Sequence, residues 1–148
     1  MAIVEKSVLV HFSVQQMFDL VRTVDDYPQY LPWCGAGHVE QVDENLERAT
    51  VEIAFKGVKQ SFCTLNRLRP HEEIHMSLVE GPFEHLEGTW SFLELTADAC
   101  KVNFRLEYEF SSKVLEQLVG PVFSSVANSF VDCFIRRAET LHNTGAGQ

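Results

Sequence analysis

Residues 111–141 read SSKVLEQLVGPVFSSVANSFVDCFIRRAETL, and this stretch decides the fold. Its apolar residues recur every three or four positions, which is the pattern of one buried face of an amphipathic helix. The face predicted to be buried consists of Val122, Val126, Phe130 and Phe134, flanked by Phe123, Ala127, Ala138 and Leu141. A face of this size needs a large apolar partner elsewhere in the chain.

Gly120-Pro121 interrupts this helical pattern. Because a proline inside a helix costs about 3 kcal/mol, we predict that Pro121 begins the main helix, which then runs to Leu141. Ser111-Ser112 would cap a short preliminary turn over residues 113–119. At about 1.5 Å per residue the main helix is roughly 32 Å long, close to a ten-residue strand at about 3.3 Å per residue. The preceding residues are therefore predicted to form a sheet that the helix lies across.

Composition predicts a single globular domain covering residues 1–148, with 45% hydrophobic residues. The net charge of -9 argues against DNA and other phosphate backbones as partners. Four cysteines without a Cys-x-x-Cys pair, and no secretory signal or long apolar run, predict reduced thiols in a cytoplasmic protein without a transmembrane segment. A transient visit to the inner membrane surface is the alternative location.

The order of the predicted elements begins with a strand over residues 2–12. Ser13 and Gln16 form a capping box, which predicts a helix over residues 14–22. A second short helix is predicted over residues 23–31, ended by Pro32. Short apolar runs separated by turn residues then predict six strands, over residues 37–42, 46–56, 58–69, 74–80, 88–96 and 100–110. Residues 143–148 are predicted to be a loose tail.

The predicted fold class is therefore α+β: a curved antiparallel sheet of about seven strands round one long C-terminal helix, with two short helices after the first strand. Such a sheet diverges from its helix and leaves a wedge, which either holds a ligand or is filled by side chains. On the strand 58–69, Gln60, Thr64 and Asn66 share the parity of apolar Phe62 and Leu68. Either these polar groups point into an apolar cavity, or the strand carries a bulge or lies at an edge.

Residues with catalytic potential are explained more simply by structure. His71-Glu72-Glu73-Ile74-His75 matches a zinc-protease string, but that site needs a helix, and a turn followed by a strand is predicted here. Cys34 and His38 lack a helix start and an orienting group. Solvation explains paired carboxylates such as Glu107 and Glu109. We therefore expect no catalytic residues, no metal and no enzyme activity.

Two connecting stretches carry more aromatic residues than a connector needs. Residues 27–34 read YPQYLPWC, and residues 81–90 read GPFEHLEGTW, with Phe83, Leu86 and Trp90 carried through a predicted turn. Either both line the mouth of one pocket, or each closes an open end of the wedge.

These two stretches, with RLRP at 67–70, FSSVANSF at 123–130 and FIRRA at 134–138, resemble the coenzyme Q-binding protein and ribosome-association toxin family. The family belongs to the lipid-transfer and polyketide-cyclase superfamily, so the resemblance implies a helix-grip fold. It covers nearly the whole chain, and its order of elements agrees with the order predicted from the residues.

The resemblance implies functions of different classes. Some relatives are taken to bind ubiquinone or a similar polyprenyl lipid in the cavity and to support respiration. Others are described as toxins of toxin–antitoxin systems that bind the large ribosomal subunit and block subunit joining. An older label, oligoketide cyclase, would make the protein an enzyme, but a fold alone carries no reaction.

A quinone site needs an apolar sleeve and a few polar groups for the carbonyls. The predicted ligand-binding residues are the aromatic Tyr30, Trp33, Phe62, Phe83, Trp90, Phe123 and Phe130, with Gln60, Thr64 or Asn66 as polar partners. The ribosome would instead be contacted by the concentrated cations Lys56, Lys59, Arg67 and Arg69. Since these four stand in an acidic chain, we favour lipid binding, with no required cofactor beyond the bound lipid.

Overall fold

The computed structural model describes residues 2–143, and these form the α+β helix-grip architecture that the sequence predicts. The elements in chain order are β1 Ala2–Val10, α1 Val14–Arg22, a 3-10 helix Val24–Gln29, β2 Cys34–Asp43, β3 Leu46–Phe55, β4 Val58–Arg69, β5 Glu73–Glu80, β6 Phe83–Thr96, β7 Ala99–Phe110, α2 Lys113–Ala138 and a π-helical turn Glu139–Asn143.

The seven strands form one antiparallel sheet in the order β1-β7-β6-β5-β4-β3-β2. Every strand from β2 to β7 pairs with its neighbours in sequence, and β1 closes the far side by pairing with β7. The inner face of the sheet packs on α2 through aromatic rings. Phe130 of α2 lies 5.9 Å from Trp90 of β6 and 5.8 Å from Phe104 of β7, ring centre to ring centre.

Alternation along β7 sets which face of the sheet is inner. Alternate residues from Cys100 to Phe110 are buried, while Arg105 and Glu109 are exposed on the outer face. The predicted alternation of this strand is confirmed. The capping box of α1 is also confirmed, because the Ser13 side chain accepts from the Gln16 amide and the Gln16 side chain accepts from the Ser13 amide.

The predicted start of the long helix at Pro121 is wrong. The helix begins at Lys113, capped by Ser112, and continues through Pro121 as one element. Pro121 is exposed, so water can solvate the Gln117 carbonyl that loses its helical partner. Gly120 has no Cβ to meet the proline ring, which removes the usual obstacle to a helical residue before proline. Leu141, predicted on the buried face, is exposed.

The start of β6 also differs from the prediction. The strand begins at Phe83 rather than Gly88, and the pairing with β7 shifts between Phe83 and His85. This irregularity places both Phe83 and Leu86 among the buried residues, so the alternation that would reveal a strand is lost there. Gly88 is a packing residue of the strand, because a Cβ on it would lie 2.6 Å from Met76 Cε.

Smaller boundaries differ as well: β1 ends at Val10 rather than at residue 12, where the chain turns toward the cap of α1. The second short helix is a 3-10 helix over Val24–Gln29, in which Pro28 is tolerated, rather than a helix over residues 23–31. Strand β2 begins at Cys34 instead of residue 37. Most of the predicted tail, residues 144–148, lies outside the described residues, and Asn143 ends the π-helical turn.

By length and composition, the helical stretch Lys113–His142 could cross a membrane. In the fold this stretch is the core helix, since Val126, Ala127 and Phe134 on it belong to the main hydrophobic core. Its apolar character is therefore explained by the sheet that wraps it.

Candidate ligand-binding cavity

An apolar cavity of about 60 Å³ lies between the inner face of the sheet and α2. The helix contributes Phe123, Val126, Ala127 and Phe130, and the connector before β2 contributes Tyr27 and Trp33. The remaining wall comes from α1, the 3-10 helix and strands β3 to β7: Val21, Arg22, Val24, Glu47, Ala49, Val51, Ile53, Phe62, Thr64, Asn66, Leu68, Ile74, Met76, Leu86, Trp90, Phe104 and Leu106. The wedge predicted from the sequence is thus largely filled by side chains, with a small space left in its centre.

Most of the predicted ligand-binding residues line this cavity. Those on its wall are Trp33, Phe62, Thr64, Trp90, Phe123 and Phe130, together with Asn66, which the sequence offered as a polar partner. Both connecting stretches therefore reach one cavity, through Trp33 and through Leu86 and Trp90.

Tyr30, Gln60 and Phe83 lie away from the cavity wall. The Tyr30 ring is covered by the Arg137 guanidinium, whose Cζ lies 4.8 Å from the ring centre. Gln60 is half-buried near the β3–β4 turn, opposite Ile53. Phe83 is buried behind the wall, where its ring lies 5.0 Å from that of Phe123. Phe83 therefore supports a wall residue and does not face the central space.

The polar residues of β4 are buried on the inner face. Thr64 and Asn66 line the cavity, and the Thr64 hydroxyl donates to the Asn66 side-chain oxygen at 2.8 Å. The alternative of a bulge in this strand also holds in part, because the pairing of β4 with β5 shifts between Cys63 and Thr64. The hydrogen bond between the two side chains offsets part of the cost of burying them among apolar groups.

An ion pair at the same end of the cavity was not predicted from the sequence. Glu47 of β3 is only 6% exposed and sits directly opposite Asn66 of β4. One of its carboxylate oxygens accepts from Arg22 Nε at 3.1 Å and from Arg22 Nη2 at 2.9 Å. Glu47 shares the inward parity of Ala49, Val51 and Ile53, a signal that could have identified it. Nothing in the sequence pairs it with the last residue of α1.

Trp33 presents an unused hydrogen-bond donor at this cavity. Its side chain is 4% exposed, and its ring packs on Phe130 with 5.4 Å between ring centres. Within residues 2–143, the indole Nε1 has no hydrogen-bond partner and no contact with solvent. A buried N-H without an acceptor costs about 1 to 3 kcal/mol, so an acceptor atom on a bound molecule would relieve this cost.

Burial suppresses ionisation of the groups around the connector. It raises the pKa of the Tyr27 hydroxyl well above its ordinary value, and this hydroxyl donates to the Val21 carbonyl. Burial also raises the pKa of the Cys34 thiol to about 11, while the thiol donates to the Ala36 carbonyl. A neutral thiol is a poor nucleophile. His38 is exposed and lies 3.6 Å from Asp25, so it belongs to a separate surface pair.

The predicted zinc string takes the conformation expected from the sequence. His71 lies in the turn before β5 with φ of 64°, and His75 lies on β5. Two histidines four residues apart on a turn and a strand do not share one face as they would on a helix.

The four predicted ribosome-contacting cations are exposed, and the three on β4 lie on the outer face of the sheet. Lys59, Arg67 and Arg69 share one parity of β4, and Lys56 lies in the preceding turn over the ring of Phe55. Lys59 and Arg67 are eight residues apart, which corresponds to about 26 Å along a strand. Arg69 pairs with Glu72 at 3.5 Å. The three cations of β4 therefore lie at its opposite ends on the face away from the cavity, and Lys56 lies in the turn beside Lys59.

Sequence relatives of this chain carry two kinds of name. The ribosome association toxin RatA of Vibrio cholerae is 43% identical over 94% of this chain and 96% of its own length. The mitochondrial coenzyme Q-binding protein COQ10 homolog B of Xenopus laevis is 28% identical over 93% of this chain and 58% of its own length.

The architecture is shared with known structures. A START superfamily protein from Mycobacterium smegmatis superposes with a TM-score of 0.76 over 94% of this chain and 98% of its own, at 21% identity. At that identity the likeness concerns the fold alone. Residues 10–135 match the family of polyketide cyclases, dehydrases and lipid transport proteins. This match and the close relatives together show that the chain belongs to the polyketide cyclase/dehydrase and lipid transport family.

Proposed function

We propose that this chain binds an apolar molecule with a hydrogen-bond acceptor, of the ubiquinone or polyprenyl-lipid class, in the cavity under α2. The observation that carries the proposal is Trp33 Nε1, which has no hydrogen-bond partner among residues 2–143 and belongs to a mostly apolar cavity wall. A quinone carbonyl is an acceptor without a donor of its own, so it matches an N-H that lacks an acceptor. The aromatic wall suits the ring and the first prenyl units.

The cavity must enlarge to admit such a molecule. Its volume of about 60 Å³ is below the roughly 150 Å³ of an engineered apolar cavity that binds benzene. Phe62, Met76 and Phe130 are the lining residues best placed to move, because each is only partly buried. Met76 is also unbranched and adapts easily to a new neighbour. We therefore expect binding to displace these side chains outward.

In this proposal the chain binds the molecule without catalysing a reaction on it and requires no further cofactor. The polar groups at the cavity wall are engaged with one another, Thr64 with Asn66 and Arg22 with Glu47, as in a structural network. A carrier of this kind would support respiration from the cytoplasm, with transient visits to the inner membrane surface to exchange its ligand.

Extraction of the natively expressed protein tests this proposal. Organic extracts of wild-type protein, of Ala127→Leu and of the surface variant Lys59→Glu/Arg67→Glu would be analysed by mass spectrometry for prenyl quinones. Ala127 is a buried lining residue, so leucine there fills the central space. We expect quinone in the wild type and in the surface variant, and a marked loss in Ala127→Leu. Empty extracts of the wild type, repeated after incubation with quinone, would overturn the proposal.

Association with the large ribosomal subunit is the second candidate. Two observations favour it: several relatives are named for ribosome association, and β4 presents Lys59 at one end and Arg67 and Arg69 at the other on one exposed face. Sucrose-gradient cosedimentation with purified large subunits would test it. Lys59→Glu/Arg67→Glu should abolish cosedimentation, while Lys6→Glu/Lys113→Glu, with the same charge change at exposed positions elsewhere, should preserve it. Equal cosedimentation of both variants would show that β4 does not contact the large subunit.

A further inference from the structure

Three potential metal ligands meet on the outer face of the sheet, opposite the cavity. His85 and Glu87 are on β6 and Glu107 is on β7, and one ligand atom from each lies within 4.8 Å of the others. Glu87 and Glu107 are directly opposite each other across the two strands. Like charges in that position destabilise a sheet, so a cation between the two carboxylates would be favourable.

Arg105 supplies only part of that compensation. Its guanidinium hydrogen-bonds Oε1 of Glu107, which lowers the pKa of that carboxyl. Arg105 also reaches Glu5 at 3.7 Å, so its charge is shared. The other oxygen, Glu107 Oε2, faces His85 Nε2 at 3.7 Å. Glu107 Oε2 is therefore not bound by Arg105 and is available to another cation.

His85, within the same cluster, has a ring nitrogen without a hydrogen bond among residues 2–143. Its Nε2 has no solvent contact and no hydrogen-bond partner in the described part of the chain. Its distance of 3.7 Å from Glu107 Oε2 is too long for a hydrogen bond. Two ligands of a tetrahedral ion with bonds of 2.0 to 2.1 Å stand about 3.3 Å apart. The observed separation thus suits an ion between the two atoms, after a small inward movement.

A second histidine holds the remaining carboxylate. His75 Nε2 lies 3.4 Å from Glu87 Oε2, and His75 Nδ1 lies 3.1 Å from the Thr89 hydroxyl. Partners of this kind fix the orientation of carboxylate ligands in metal sites. His75 is therefore a positioning residue for Glu87.

We propose that His85, Glu87 and Glu107 form a binding site for a divalent transition-metal ion of the Zn²⁺ class on the outer face of the sheet. One imidazole and two carboxylates form a ligand set that Zn²⁺ accepts, with a position left open for water. The site is independent of the proposed ligand-binding function, because it lies on the other face of the sheet.

Titration of tag-free, EDTA-treated full-length protein tests the site. Zn²⁺ binding would be followed by calorimetry, and Co²⁺ binding by its visible ligand-field absorption. We expect one ion per chain, with about tenfold or greater loss of affinity in His85→Ala. The matched control is His38→Ala, which removes an exposed histidine beside the carboxylate of Asp25 and should leave the affinity unchanged.

Glu87→Gln provides a second variant that keeps the size of the side chain, and thermal unfolding would check that each variant is folded. Glu87→Gln should weaken Zn²⁺ binding about as much as His85→Ala does. Absence of saturable binding to the wild type would overturn the proposal. Equal affinity in His85→Ala and the wild type would do the same, as would a thiolate-to-cobalt charge-transfer band, which would assign the ion to cysteine.

Discussion

Among single residues, Trp33 contributes most to the proposed ligand binding, through its indole N-H. Among residues 2–143 this buried donor of the cavity wall has no acceptor, whereas Thr64 and Asn66, which also line the cavity, hydrogen-bond each other. A ligand can hydrogen-bond to such an unsatisfied group without first breaking a bond within the protein, so this contact stabilises the complex most easily.

Trp33→Phe is expected to weaken quinone binding by about fivefold, because it removes one hydrogen bond worth about 1 kcal/mol and keeps the aromatic ring. The melting temperature of the unliganded protein should fall only by the packing that the smaller ring loses, since the lost N-H has no partner in the described chain. Calorimetry with a short-chain quinone and thermal unfolding of the same samples measure the two effects. Unchanged affinity would show that Trp33 is only a wall residue.

Arg22 is expected to stabilise the protein by compensating the buried charge of Glu47. A fully buried carboxylate that loses its partner costs about 3 to 5 kcal/mol, but the Arg22 side chain is 40% exposed, so Arg22→Met should cost about 1 to 2 kcal/mol. In urea unfolding, Arg22→Met/Glu47→Leu should lose less stability than the sum of the two single variants. Strictly additive losses would contradict the pairing.

Alkaline pH should destabilise the protein through Cys34. Burial raises the pKa of this thiol from 9.0 to about 11 in the folded state. The neutral thiol is therefore favoured by folding, and its contribution is complete below pH 9 and is lost as the pH rises from 9 to 11. Urea unfolding should show a decrease of about 1 to 2 kcal/mol over that range. Cys34→Ala should flatten the decrease, and an unchanged slope would assign it to other groups.

At the scale of the element, α2 tolerates a proline in its interior. Pro121 is exposed, follows Gly120, and leaves the helix continuous from Lys113 to Ala138. The helix continues through the proline, but one helical hydrogen bond is lost because Pro121 has no N-H.

Pro121→Ala is therefore expected to raise the free energy of unfolding by about 1 to 2 kcal/mol, because it restores a donor to the Gln117 carbonyl and removes the ring. Thermal unfolding should show a higher melting temperature by a few degrees. Pro32→Ala is the matched control, since that exposed proline lies between helix and strand and no helical bond can be restored there. Equal changes in both variants would contradict this explanation.

Elements with a consistent local pattern could be predicted from the sequence. The capping box of α1 predicts a helix and the alternation of β7 predicts a strand, and both elements are present. Strand β6 could not be bounded, because the irregularity after Phe83 breaks the alternation of its first residues. The Arg22–Glu47 pair depends on two elements meeting in three dimensions, which no spacing in the chain encodes.

At the scale of the whole molecule, the sheet separates two kinds of surface. Its inner face and α2 enclose the apolar cavity, and its outer face carries charged residues, including the cations of β4 and the cluster around Glu107. Because the two faces are separate, substitutions that change outer charges should leave ligand binding intact. The proposed ligand and the second candidate partner can thus be tested independently in one protein.

A quinone in the proposed site would lie beside both tryptophans of the chain, because Trp33 and Trp90 line the cavity. Intrinsic fluorescence is therefore the most direct reporter, and the measurement is a titration of the unliganded protein with a short-chain ubiquinone. We predict saturable quenching at one quinone per chain, reduced in Ala127→Leu and retained in Lys59→Glu/Arg67→Glu. Linear quenching without saturation, equal in the folded and urea-unfolded protein, would contradict the account.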